Sequence, residues 1–313
     1  MSAAPLSMPS PLEPTLPALD DTLGVVMIGA FICAIWYGII CLQSFMVLHK
    51  LCKDDVYTKC TVWVLWVVNT AHLALSIHPC YWYMVTNYGR PTTIYRITWS
   101  ISFGVVLTGL NDAIVRSWFI YRVWILSERN RPLTAALATC IAFAFAMTMV
   151  VAGQSYRAMT FPAFRESSKW VLQADMASVF VSDVVLALLL CYYLARTRNK
   201  VFSRRIGSYI NALLVYTVNT GLLTSMVAMG CLITFVRLQH NFVFVAFYFP
   251  MASIYANSLL ASFNIRDFFG NRQEPESFAL PLSRLSSAPC SQRATRVGQP
   301  KPTGLHDAAD TGR

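Results

Sequence analysis

Residues 23–48 read LGVVMIGAFICAIWYGIICLQSFMVL, twenty-six positions without one Asp, Glu, Lys or Arg. At 1.5 Å per residue such a run is long enough to cross about 30 Å of hydrocarbon as a helix. Six more apolar runs follow, at about 61–85, 94–122, 133–154, 170–195, 208–236 and 242–264. The pattern predicts an all-α, polytopic integral membrane protein, a bundle of seven transmembrane helices spanning 23–268. Composition agrees. Of 313 residues 56% are hydrophobic and 13% are charged, with a mean hydropathy of +0.49. A soluble chain carries about 25% charge, so this one cannot coat a water-facing globule. A soluble enzyme, a disordered chain and a coiled coil are excluded.

The ends differ from the middle. Residues 1–22 are rich in Pro, Ser and Ala and lack Lys and Arg. A secretory signal begins with a basic region, so the stretch reads as a disordered tail. From 269 to 313 the chain turns to Ser, Pro and Arg and reads as a second disordered tail. With the N-terminus outside, 18 Lys and Arg fall on the cytoplasmic side and six on the outer side, with Arg116 inside a span. That split predicts an N-out, C-in topology. The net charge of +10 therefore describes orientation. No basic groove interleaved with aromatics suggests nucleic acid.

Polar residues inside the runs come next, because lipid penalises them. Counted from the inner boundaries, Asn69 lies at ~12 Å, Asp112 at ~15 Å, Asn219 at ~16 Å and Asp183 at ~18 Å. Four helices thus place a polar group in one mid-membrane layer, and the candidate set also takes in Arg116 and Asn257. Two readings stay open, an interior clamp of hydrogen bonds and a ligand or ion site. Asp112 and Arg116 are four residues apart and are expected to pair along one helix face. Asp183 is the alternative acceptor, which would make Arg116 a two-state latch.

Other chemistry is thin. His72 and His78 are six residues apart, about 120° around a helix, and His49 and His240 fall at opposite faces. No shared metal site is expected, and His78-Pro79 reads as a kink. All six lysines lie outside the spans or at their edges, so a retinal Schiff base has no anchor. No phosphate-binding glycine loop, G-x-S-x-G or H-E-x-x-H occurs. The expectation is a chain without cofactor, metal or catalytic residue, and not an enzyme. Of nine cysteines, Cys80 and Cys231 fall near the outer side. No Asn-x-Ser/Thr sequon falls in an outer segment. Small residues at Ala30, Ala34 and Gly38, and at Ala138, Ala142 and Ala146, are spaced for helix packing within the bundle or, alternatively, between two copies.

Three stretches carry a resemblance. Span 3 ends Phe119-Ile120-Tyr121-Arg122-Val123-Trp124. Span 6 carries Asn219-Thr220-Gly221-Leu222-Leu223-Thr224-Ser225. Span 7 carries Phe247-Tyr248-Phe249-Pro250, Ile254-Tyr255-Ala256-Asn257-Ser258 and Phe263-Asn264-Ile265-Arg266. This resembles the fungal, basidiomycete-type seven-span family catalogued only as a domain of unknown function, best over about 175–268. The resemblance implies a membrane location and seven helices, and brings no activity or ligand. The topology also resembles that of G-protein-coupled receptors. The detailed marks depart, since no acidic residue precedes Arg122 and span 7 has Tyr255-Ala256-Asn257 in place of Asn-Pro-x-x-Tyr.

Three functions follow as expectations. A receptor-like sensor would sit in a multi-pass position, in the plasma membrane before an internal one. It would take a small-molecule ligand on the outer side and a cytoplasmic partner at the basic loop 196–205. A transporter or channel-like carrier would use Asp112, Arg116 and Asp183. A structural membrane protein would need only the lipid bilayer as its partner.

Overall fold

The computed structural model describes residues 20–50, 56–200, 204–237 and 243–270. It is built of seven long helices: α1 (Val25–Lys50), α2 (Val56–Tyr81), α3 (Trp99–Leu126), α4 (Arg131–Ala158), α5 (Phe161–Lys200), α6 (Arg204–Arg237) and α7 (Val243–Gly270). All seven are long and apolar enough to cross a membrane. The helices run up and down. Each packs on its neighbours in sequence, and α7 returns to α1 and closes the ring. Both α3 and α7 also lean inward and touch each other. The hydropathic stretch of α7 is 72% buried, against 28% for α1, so α7 is the central helix.

Outward positions remain apolar. Phe31, Ile35 and Leu42 on α1, Trp63 on α2, Leu188 on α5 and Met226 on α6 are all exposed. Such a girdle suits lipid and would be costly in water. Inside, Ile40, Val47, Val62, Leu65, Val115, Leu259 and Phe263 form the central apolar cluster between α1, α2, α3 and α7. Gly29 lets α1 approach α7 closely, since a Cβ there would lie 2.9 Å from the Ala246 Cα.

The helices outrun the spans expected from sequence. The segment 154–169 is no loop. It is helical to Ala158 and again from Phe161, with Met159 at φ 57° making the turn between. The basic segment 196–205 is also mostly helix, since Arg196–Lys200 finish α5 and Arg204 opens α6. Hydropathy marks where the hydrocarbon would end, and backbone hydrogen bonding continues past that point wherever good helix formers follow. Span 3 is shorter at its start than expected. Pro91–Tyr95 form a 3₁₀ turn, and Arg96 is extended and bridged to Thr160 before α3 begins at Trp99. Pro79 lies inside α2 without ending it, and a π-helical segment, Trp82–Thr86, follows.

Asp20–Gly24 form a π-helical lead into α1, with Thr22 and Leu23 buried, so the expected N-terminal tail is ordered at its end. The rest of that tail, and 271–313 of the other, lie outside the described residues. The two stripes of small residues behave differently from the packing expected within the bundle: on α1, Ala30 is buried and Ala34 half-buried, but that stripe turns outward at its end. Gly38 is exposed with nothing within 4 Å of a Cβ built there. Ala138, Ala142 and Ala146 are exposed as well, and α4 buries Leu137, Ile141, Ala144 and Thr148 instead. Consecutive residues are about 100° apart around a helix, and the larger side chains took the inward sector.

Candidate functional site

The site is built where α3, α5 and α7 meet. Arg116 is four residues, one turn, beyond Asp112, and both side chains point into the bundle. Arg116 Nε lies 3.1 Å from Asp183 Oδ1 on α5. Its Nη2 lies 4.0 Å from Asp112 Oδ2 on its own helix. The expected intrahelical partner is therefore the more distant one. The reason is geometric: an i, i+4 pair must fold both side chains along one helix, whereas Asp183 projects straight across from α5. Tyr255 on α7 completes the cluster. Its hydroxyl donates to the Asp183 carboxylate and accepts from Arg116 Nη2 at 3.3 Å. The guanidinium carbon lies 5.4 Å from the Tyr255 ring centroid. Cation, carboxylate and phenol thus tie three helices together.

Asp112 is left over. It is buried, and its Oδ1 has no hydrogen-bond partner among the described residues. Beside the cluster, a cavity of about 40 Å³ is lined by Arg116, Asp183, Thr224, Tyr255 and Ser258 together with apolar side chains. That volume takes a water molecule or two, and the polar walls can hold them.

One turn away on α3, an uncharged network spans four helices. Asn69 Nδ2 on α2 donates to Asn111 Oδ1 at 2.9 Å and to its own Leu65 carbonyl. Asn111 Nδ2 donates to the Ala252 carbonyl on α7 at 2.7 Å. Its neighbour Ser253 reaches Asn69 Oδ1 at 3.5 Å and the Cys33 thiol of α1 at 3.8 Å. His72, fully buried, lies 3.1 Å from Thr108 Oγ1 through Nε2 and 3.9 Å from Cys33 Sγ through Nδ1. Further along α5, Asp175 accepts from Thr148 of α4 at 2.8 Å.

The candidate layer separates into parts. Asp112, Arg116 and Asp183 converge, and Asn69 joins the adjoining network. Asn257 is buried elsewhere, donating to the Trp36 carbonyl on α1 at 3.0 Å, and ties α7 to α1. Asn219 does not belong to the interior and is exposed on α6. Gly221, against Ala187 of α5, marks the inward face there, and Asn219 is about 200° from it around the helix. Sequence reading passed over Asn111, Asp175 and Tyr255. Asn111 and Asp175 carried the same signal as their neighbours, a polar group in an apolar run. Tyr255 carried none, because a tyrosine is ordinary in such a helix.

A second cavity, of about 290 Å³, opens at the end of the bundle where α3 starts. His78, Trp82, Arg96, Trp99, Ser102 and Tyr156 are among its walls. His78 Nδ1 lies 2.8 Å from Ser100 Oγ, and its ring is 5.1 Å from that of Trp99. His78 and His72 thus serve different partners. Among the described residues no group of three His, Cys, Asp or Glu is placed to hold a metal ion. Cys80 and Cys231 are free thiols.

No curated protein and no solved structure matches the chain. Residues 179–268, which hold Asp183, Tyr255 and Asn257 and run from within α5 through α6 and most of α7, match the model of a family of unknown function, DUF6534.

Proposed function

We propose that this chain is a receptor-like membrane sensor, N-out and C-in, in the plasma membrane. The observation that carries the reading is the 290 Å³ cavity at the Trp99 end of the bundle, which the distribution of basic residues puts outside. Its volume is close to the range of about 300–1,000 Å³ typical of small-molecule sites. Trp82, Trp99 and Tyr156 offer aromatic walls, and Arg96 offers a cation that makes no ion pair among the described residues. An amphipathic molecule with an aromatic or apolar body and an acceptor group fits those walls. Its walls come from the end of α2 and the segment after it, the extended residues before α3, and the near ends of α3 and α4, and α3 also holds Arg116 between two carboxylates. A ligand that favours one placement of α3 would favour one acceptor, which gives the two states a sensor needs.

A carrier is the second reading, favoured by the small cavity beside Arg116 and Asp183. That cavity, at about 40 Å³, admits water but nothing larger. The test is a thermal-shift screen of small molecules on purified protein beside Trp82→Ala and Arg96→Ala. Ligands that raise the melting temperature of the parent and not of the variants support the sensor. Hits indifferent to both substitutions put the site elsewhere, and solute flux into reconstituted vesicles would favour the carrier.

A further inference from the structure

Among the described residues the buried interior holds three carboxylates, Asp112, Asp175 and Asp183, and one permanent cation, Arg116. A guanidinium does not give up its proton in such a setting. One positive charge can balance one carboxylate, and the geometry says which. Asp183 has the 3.1 Å contact with Arg116 and the Tyr255 hydroxyl as well. Asp112 has a 4.0 Å approach to the same guanidinium and an Oδ1 with no hydrogen-bond partner. A carboxylate ion in that position would be an unbalanced charge in a low-dielectric core.

We propose that Asp112 is a proton-binding site, holding one exchangeable proton whose departure draws Arg116 from Asp183 toward Asp112. The exchange is simple in its balance: the Asp112 O–H bond breaks, the electron pair stays on the carboxylate, and the proton passes to water. The ionised Asp112 then competes for a guanidinium already on its own helix. Arg116 loosens its hold on Asp183, and the α3–α5 tie weakens while Tyr255 still binds Asp183. The ligand of this site is therefore H⁺, and its occupancy is coupled to how α3 sits against α5. This does not depend on whether the cavity at the Trp99 end binds anything.

Asp112 is faced by few ionisable groups. Arg116 is on its own helix, Asp175 and Asp183 come from α5, and the Tyr248 and Tyr255 hydroxyls come from α7. From α2, His72 is nearest and is engaged with Thr108 one turn away. The ionisable side chains of α4 lie away from this level, with Arg131, Tyr156 and Arg157 at its ends and Cys140 exposed. None supplies a second cation.

The test is infrared difference spectroscopy of the purified full chain, alkaline minus acidic, beside Asp112→Asn and Asp175→Asn. The expected result is a carbonyl stretch of a protonated carboxylic acid that is lost at alkaline pH. Asp112→Asn removes that component, and Asp175→Asn retains it. Asparagine is isosteric with the protonated acid, so the variant should fold. Should it not, Asp112→Glu decides: it keeps an acid at this position, and the band must persist at a shifted frequency. Loss of the band in Asp175→Asn, or no change in Asp112→Asn, overturns the proposal. A parallel series in sodium chloride and choline chloride closes the remaining route. If sodium abolishes the band at a fixed pH, a sodium ion balances Asp112 and the proton assignment falls.

Discussion

Arg116 on α3 lies closer to Asp183 on α5, at 3.1 Å, than to Asp112 one turn away on its own helix, at 4.0 Å. The link between helices is therefore the stronger one, and it fixes which substitution does damage. Asp183→Asn leaves Arg116 only the more distant Asp112, which must give up its proton to balance it, at a depth where an unpaired charge costs about 2.5–3.5 kcal/mol on insertion scales. Asp112→Asn leaves the pair of Arg116 with Asp183 intact. Asp183→Asn is expected to be the more destabilising by about 1 kcal/mol or more. Adding Arg116→Met to Asp183→Asn should recover part of the loss, since two neutral groups need no counter-charge. Melting in detergent across the cycle checks this. Equal losses for the two aspartates would show that Arg116 does not discriminate between them.

Tyr255 is the third member of that contact. Tyr255→Phe keeps the ring near the guanidinium and deletes only the hydroxyl that donates to Asp183 and accepts from Arg116. Leaving a charged acceptor short of a donor costs about 1–3 kcal/mol. The substitution should lower stability by that order in the parent and by much less in an Asp183→Asn background. Unfolding in mixed micelles measures both. Full additivity would mean the phenol and the carboxylate act separately.

The uncharged network gives a paired expectation. Asn111 connects Asn69 to the Ala252 carbonyl, whereas Asn219 is exposed. Hydrogen bonds between membrane helices contribute about 0.6 kcal/mol on average and up to about 1.7. Asn111→Ala loses two and leaves Asn69 only its own Leu65 carbonyl and the 3.5 Å approach of Ser253, so it should lower the melting temperature measurably. Asn219→Ala should leave it unchanged. A loss at Asn219 comparable to that at Asn111 would place α6 in a different rotation.

How much of this was legible in the sequence follows from the same residues. The seven apolar runs mark the seven helices, because length and hydropathy are local properties. That Asp112, Arg116 and Asp183 meet was also foreseeable, because lipid leaves a charged group only the interior. Rotation was not. The outward Phe31, Ile35 and Leu42 of α1 are as apolar as the inward Val26, Ile40 and Val47. A helix with apolar faces all round carries no stripe to say which side turns in. Hence the sequence places Asn219 inside, leaves the alanines of α4 between packing in the bundle and a second copy, and gives Arg116 its neighbour in sequence before its neighbour in space. Tyr255 and Asn111 were missed for the same reason, since their roles depend on what the facing helix presents.

The approach of α1 to α7 at Gly29 yields the last expectation. A methyl group on Gly29 would lie 2.9 Å from the Ala246 Cα, a backbone atom that no rotamer change can move. Gly29→Ala must push α1 off α7, the central helix, and such overpacking costs about 1–3 kcal/mol. Gly109 is an intermediate case. Its nearest atom would be the Met149 Cε at 2.8 Å, the end of a flexible side chain that can swing aside, with the Thr148 Cγ2 behind it at 3.1 Å. At Gly38 nothing lies within 4 Å, so an alanine there meets no resistance and gains helix propensity of about 0.5–1 kcal/mol. The three alanine variants should therefore order as Gly29 lowest, Gly109 between and Gly38 at or above the parent in melting temperature. The order tests the α1–α7 contact independently of any charged residue. If Gly29→Ala and Gly38→Ala melt alike, α1 does not face α7 through Gly29, and the rotation of α1 that buries Cys33 beside His72 is wrong with it.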